Sequence, residues 1–124
     1  MILIIGIPNA GKTTYAAQYS DVVHYDDTSR LPREERLSIA AKSECAEGIY
    51  NTRKSRTEIL KKAGEGRHVC VWIDTPIEIC LERERNGRMR GDGLVLHHAK
   101  RFEPPTYDEG WDEIKRIRVH KNRE

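Results

Sequence analysis

Apolar positions recur along this chain in two rhythms. Residues 2–5 (ILII) form an unbroken apolar run, 68–73 (HVCVWI) are apolar after His68, 22–25 (VVHY) are apolar apart from His24, and 114–119 (IKRIRV) alternates apolar with basic. Runs rich in β-branched residues predict buried strands, and the alternation predicts a last strand. Between them lie segments with helical signals. One spans 12–19. A second spans 31–48, with Pro32 near its first position, glutamates in its first turn and Gly48 as its stop. A third spans 52–66, closed by Gly64 or Gly66. A fourth spans 76–85, with Ile77, Cys80 and Leu81 on one face. Residues 86–93 hold three glycines and two arginines and predict a mobile loop, and 94–102 a short helix ended by Glu-Pro-Pro. Residues 120–124 predict a frayed tail. Strands alternating with helices predict an α/β protein, a three-layer α/β/α sandwich on a small parallel sheet. The sheet has four strands, or five if 48–50 pairs. Residues 1–124 read as a single domain, without repeat or linker.

Composition narrows the class without naming it. Hydrophobic residues make up 37% and charged residues 34%, which is too apolar for disorder and ordinary for a hydrated globule. A net charge of +2 is no sign of nucleic-acid binding by itself. The three cysteines, Cys45, Cys70 and Cys80, lack C-x-x-C spacing. Free thiols in a reducing cytoplasm are the simpler expectation, against a disulfide framework or a zinc site. The apolar start is too short for a signal peptide, and no run approaches the roughly 20 residues that span a bilayer.

The first chemistry lies between the first strand and the first helix. Gly6-Ile-Pro-Asn-Ala-Gly11-Lys12-Thr13 matches G-x-x-x-x-G-K-[ST] at every fixed position, with a strand before it and a helix after. Glycines let the backbone curl until successive N–H groups point inward, where they and the positive end of the helix cradle a polyphosphate. Pro8, Asn9, Ala10, Gly11, Lys12, Thr13 and Thr14 are therefore candidate nucleotide-binding residues, with ATP as the expected ligand. Lys12 would lie along the β- and γ-phosphates as a point charge, and Thr13 would offer its hydroxyl to Mg²⁺. A plain glycine turn is the bland alternative, and four fixed positions in the right context count against it. No N-K-x-D guanine signature is present, and the chain is too short for the larger core of a motor ATPase.

Which phosphate chemistry follows depends on other residues. Asp26 and Asp27 come straight after the second strand, and ligands of open parallel sheets bind at the carboxyl ends of strands. A carboxylate there could take the proton of an attacking hydroxyl or help hold Mg²⁺; it could also be a solvated turn or a helix cap. Arg83, Arg85, Arg88 and Arg90 crowd the helix end and the glycine-rich loop. A lid over residues 84–93 could bring one of them to the charge that spreads over a transferring phosphoryl group, and a solvated basic helix end is the alternative.

Taken together, the phosphate loop, "HYDD", "DTPIEICLERERNGR" and "FEPPTYDEGWDEI" resemble the kinase domain of polynucleotide 5′-hydroxyl kinases and their small P-loop relatives. Phe102, Pro105, Thr106, Glu109, Gly110 and Ile114 fall where that family has F-x-x-P-T-x-x-E-G-[FW]-x-x-I. The resemblance implies a phosphotransferase that uses ATP and Mg²⁺ and acts on a nucleic-acid or nucleotide hydroxyl. It implies Asp26 as general base, Arg85 or Arg88 as lid arginine, Arg30 as nearest candidate for the substrate arginine, and Pro105 near the adenine. The family also carries a strand ending in an Asp-x-Thr-Asn-like motif. Here "GIYNTRKSR" stands in that place, so the aspartate and most of the strand are expected to be missing. Asp74, in the family's D-x-P position, is expected to cap the next helix. Within "RKSR", Arg53 could touch an acceptor phosphate or lie on a solvated helix face. His97 and His98 lack metal-ligand spacing. Trp72 is expected in the core, and Trp111 either there or as a cover over the C-terminal turn.

Overall fold

A computed structural model of the chain describes residues 1–120; the tail expectation at 121–124 lies outside them. Five parallel strands form one sheet: β1 (Ile2–Ile5), β2 (Val23–His24), β3 (Cys45–Gly48), β4 (Val69–Asp74) and β5 (Glu113–Arg118). Their order across the sheet is β2-β3-β1-β4-β5. Strand β1 lies between β3 and β4, with Ile5 opposite Gly48 on one side and Trp72 on the other. All carboxyl ends therefore open onto one rim.

Side chains alternate across this sheet because the strand period is two. Leu3, Ile5, Ala46 and Cys70 point to one face, where they meet Leu37, Ala40 and Ala41 of α3 (Arg33–Lys42) and Ile59 and Leu60 of α4 (Arg53–Ala63). Ile4, Cys45, Val71 and Ile73 point to the other. There they meet Ala16 of α1 (Lys12–Ala16), Cys80 of α5 (Ile77–Asn86) and Val95 of α6 (Gly93–Arg101). Two apolar cores on either side of one sheet make the three layers that the sequence predicts. All three cysteines are free and buried. Among the described residues no helix is long and apolar enough to cross a membrane.

Three local expectations change. Residues 45–48 were expected to close a helix; that helix stops at Lys42, and Cys-Ala-Glu-Gly instead forms a fully buried strand. The fifth strand is thus present, at 45–48 rather than 48–50, although its sequence lacks the family's aspartate. The second strand ends at His24, and Tyr25 opens α2 (Tyr25–Thr28), with Asp26 and Asp27 in its first turn. Asp74 does not cap α5, whose cap position is Pro76 without a side-chain bond; the Asp74 carboxylate takes Arg116 at 2.6 Å.

The C-terminal pattern has a mechanical role. Glu109 is buried and accepts from Arg56 Nε at 2.7 Å and Nη2 at 3.1 Å, from Trp111 Nε1 at 3.1 Å and from Thr106 N at 2.9 Å. Arg56, fully buried in α4, spends its remaining donors on the carbonyls of Tyr50 and Glu103. Burial pushes the Glu109 carboxyl up, and the hydrogen bonds from Arg56, Trp111 and Thr106 outweigh it, so the group stays below its ordinary range. Gly110 follows at φ 117°, a conformation that favours glycine. Trp111 is core, and Trp72 is half-buried, stacked on Phe102 with Arg116 over its ring.

Candidate active site

At the carboxyl rim the loop between β1 and α1 borders a cleft of about 570 Å³. Three features shape the loop. Asn9 (φ 67°) and Gly11 (φ 105°) are left-handed, which turns the chain back on itself. A Cβ at Gly6 would come within 3.0 Å of the Ile73 carbonyl and 3.1 Å of Ala10 Cβ, so only glycine lets the loop start this close to β4. Thr75, just past β4, donates its hydroxyl to the Ala10 carbonyl at 2.6 Å and pins the loop from below.

Lys12 Nζ donates to the Ile7 carbonyl at 2.8 Å, folding across the inside of its own loop. Burial lowers its pKa from 10.5 to about 8, while the nearby charges of Glu47 and Asp26 pull the other way. A cation half-removed from water beside one carbonyl gains from an anion. Thr13 and Thr14 are exposed along the same wall. The curled glycine backbone and this donor set fit a polyphosphate. Among the described residues no three His, Cys, Asp or Glu side chains are placed to hold a metal ion. A cation here would take most of its ligands from phosphate and water, with Thr13 as the protein hydroxyl within the same cleft.

The cleft brings together Pro8, Asn9, Ala10, Gly11, Lys12, Thr13 and Thr14 with Asp26 and Arg88. Asp26 stands one turn beyond β2, and β3 lies between β2 and the loop strand β1. Arg88 makes no hydrogen bond to other described residues and lies on the cleft wall. Arg83 and Arg90, from the same basic stretch, also line the cleft, and the other candidates stand elsewhere. Asp27 and Arg30 are exposed and do not line the cleft. Arg85 points away from it and pairs with Asp92 at 2.8 Å, because helix α5 turns that position toward the solvent-facing start of α6. Arg53 pairs with Asp108 at 2.7 Å, tying α4 to the C-terminal segment. Pro105 sits half-buried in that same segment, outside the cleft wall.

The cleft also contains residues the sequence did not single out. Glu47 is buried and lies on the same face of β3 as Cys45, toward α1. It pairs with His24 Nδ1 at 2.9 Å. Its strand was hidden because Ala-Lys-Ser-Glu-Cys-Ala-Glu continues the helical composition of α3, and tertiary pairing overrides that weak preference. Tyr25, Ile49, Leu94 and Ile117 supply apolar wall. Gly48 lets Tyr25 approach, since a Cβ there would come within 2.7 Å of Tyr25 Cβ. Arg83, which the sequence does single out, donates to the Asn9 carbonyl at 2.8 Å.

No protein-family model matches the chain, and no curated protein matches its sequence. Solved structures do match its fold. A sugar kinase from Janibacter sp. HTCC2649 superimposes with a TM-score of 0.69 at 17% identity, over 95% of this chain and 83% of that one. A gluconokinase from Sinorhizobium meliloti 1021 gives 0.68 at 15% identity, over 98% and 83%. A fungal RNA kinase gives 0.61 at 11% identity, over 98% and 76%. With its all-parallel sheet in the order β2-β3-β1-β4-β5 and its glycine loop after the central strand, the chain shares the α/β fold of these three structures.

Proposed function

We propose that this chain is an ATP-dependent kinase that moves the γ-phosphoryl group of ATP to a hydroxyl. The observation that carries this reading is the shared cleft, in which a glycine loop bearing Lys12 and Thr13 shares its walls with the carboxylate Asp26. Main-chain amides from Pro8 to Thr14 and the Lys12 ammonium hold the polyphosphate; Pro8 itself contributes shape, having no N–H. Thr13 would hold Mg²⁺, which when bound would supply neutralisation of the phosphate charge. Asp26 takes the proton of the acceptor hydroxyl as its oxygen bonds to the γ-phosphorus. The bond from that phosphorus to the bridging oxygen breaks, and ADP keeps the electron pair. Arg88 compensates the charge on the transferring group. Asp27, Arg30 and Arg53 would take part only after a rearrangement that brings them to the cleft.

The acceptor we favour is the 5′-hydroxyl of a polynucleotide. The C-terminal F-x-x-P-T-x-x-E-G-W-x-x-I pattern and the fold shared with a fungal RNA kinase support it. A small sugar or sugar acid is the second reading, favoured by the higher TM-scores of the sugar kinase and the gluconokinase. The protein is incubated with γ-labelled ATP, Mg²⁺ and, separately, 5′-hydroxyl DNA, 5′-hydroxyl RNA, nucleosides and a panel of sugars and sugar acids. Label on the oligonucleotide end supports the first reading, and label on a sugar supports the second. Label on none of them, with ATP bound, makes the chain a binding module.

A further inference from the structure

Glu84 lies in the last turns of α5 with no exposed surface, and the transfer chemistry above does not use it. Its carboxylate is nonetheless crowded with donors. Arg90 N reaches Oε2 at 2.7 Å, Arg90 Nη2 reaches Oε1 at 2.6 Å, and Arg90 Nε lies 3.1 Å from both oxygens. The fourth donor comes from the phosphate loop: Asn9 Nδ2 reaches Oε1 at 2.9 Å. The same amide also donates to the Cys80 carbonyl at 3.2 Å. The Glu84 carbonyl takes Met89 N at 2.8 Å, and Met89 adopts a left-handed φ of 51° to complete the return. Residues 84–90 therefore fold into a closed turn around one carboxylate. A buried carboxylate costs stability unless its lone pairs are filled, and here the donors come from two segments distant in sequence.

We infer that Glu84 is a positioning residue that locks the crest of the phosphate loop to the root of the arginine segment. In this arrangement Arg90 is a strut and Arg88 is left free to meet phosphate. The lock rests on the proposed kinase reading for its purpose, but its existence does not. It holds Asn9 in the left-handed turn before any nucleotide arrives, so the ordering cost of the cradle is met by folding rather than by binding. Removing the lock should loosen both segments together.

Two readouts separate the lock from the reading it serves. The first is trypsin cleavage after Arg90 in nucleotide-free protein, which reports local opening. Glu84→Gln, which keeps the shape and removes the charge, should raise cleavage after Arg90 about tenfold more than it raises cleavage within the two cores, which reports global unfolding. The second is steady-state transfer. Glu84→Gln should raise KM for ATP about tenfold while kcat falls by no more than about threefold, and Arg90→Ala should do the same. The double variant should be no worse than either single one, because both remove one unit. Arg88→Ala should instead fall mainly in kcat. Should Glu84→Gln fail to fold, Asn9→Gly, which keeps the left-handed backbone and removes the amide, should raise cleavage after Arg90. Unchanged cleavage, effects that multiply in the double variant, or an Arg90→Ala loss of kcat equal to that of Arg88→Ala would each overturn the lock. A protein that binds no ATP would instead overturn the kinase reading, and the cleavage result would still decide for or against the lock.

Discussion

Glu109 and Glu84 are both buried carboxylates that hold an arginine, and they sit at opposite ends of the molecule's logic. Glu109 grips Arg56 where neither side chain is exposed, fastening the C-terminal segment to α4 away from the cleft. Glu84 grips Arg90, whose side chain remains about one-third exposed at 35%, and joins two segments that border the cleft. The first pair is closed off by carbonyls and an indole. The second shares its carboxylate with the phosphate loop. The same chemistry thus serves assembly in one place and a site in the other, and what differs is which segments the donors belong to.

This contrast can be broken in several ways. The largest effect is expected at Arg56. Arg56→Ala strands a buried carboxylate, and should cost about 3–5 kcal/mol in denaturant or thermal unfolding. A folded, stable Arg56→Ala protein that had lost only ATP affinity would erase the distinction between the pairs.

The next effect is on the cleft side. Lys12 carries a pKa of about 8 in the free protein, and a bound polyphosphate favours its charged form. ATP affinity measured by calorimetry should therefore fall as pH rises above 8, by up to about tenfold per pH unit until the ordinary lysine range is reached. The stability of the free protein should move the opposite way over the same window. There the unfolded chain binds more protons, so the cost of burying a charged Lys12 is relieved as pH rises from 8 to 10.5.

A smaller effect lies at acid pH. The hydrogen bonds from Arg90 and Asn9 hold the Glu84 carboxyl down at about 2. Its contribution is fully present above the ordinary glutamate range and is lost as pH falls from 4.5 toward 2. Acid unfolding should steepen across that window in the parent and flatten there in Glu84→Gln. The smallest effect tests α4 alone. Thr52 caps it by accepting from Ser55 N at 3.2 Å, and Thr52→Ala should cost about 1 kcal/mol with ATP affinity unchanged.

These residues also explain how far the molecule could be foreseen. The turn from β1 into α1 was legible because Gly6 and Gly11 stand between an apolar run and a helical segment, at a spacing that fixes where the chain turns. The position of Asp26 at the rim followed from parallel topology, which puts every strand end on one side. The strand at 45–48 was not legible, since Cys-Ala-Glu-Gly carries no strand preference and acquires its conformation only between β1 and β2. Glu84 and Arg56 were equally hidden. A charge on a helix reads as solvated until its partner is known, and Asn9 lies 75 positions from Glu84 and Glu109 53 positions from Arg56. Of the two lid candidates Arg88 lines the cleft, and Arg85 stands outside it for a finer reason: one step along α5 separates Arg85, paired outward with Asp92, from Glu84, turned inward.

The most direct test of the account is Asp26→Asn, measured for both ATP affinity and transfer of labelled phosphate. The account predicts affinity within about twofold of the parent and transfer slower by about 10²–10⁴-fold, the range of a lost general base. Transfer at the parental rate would contradict it.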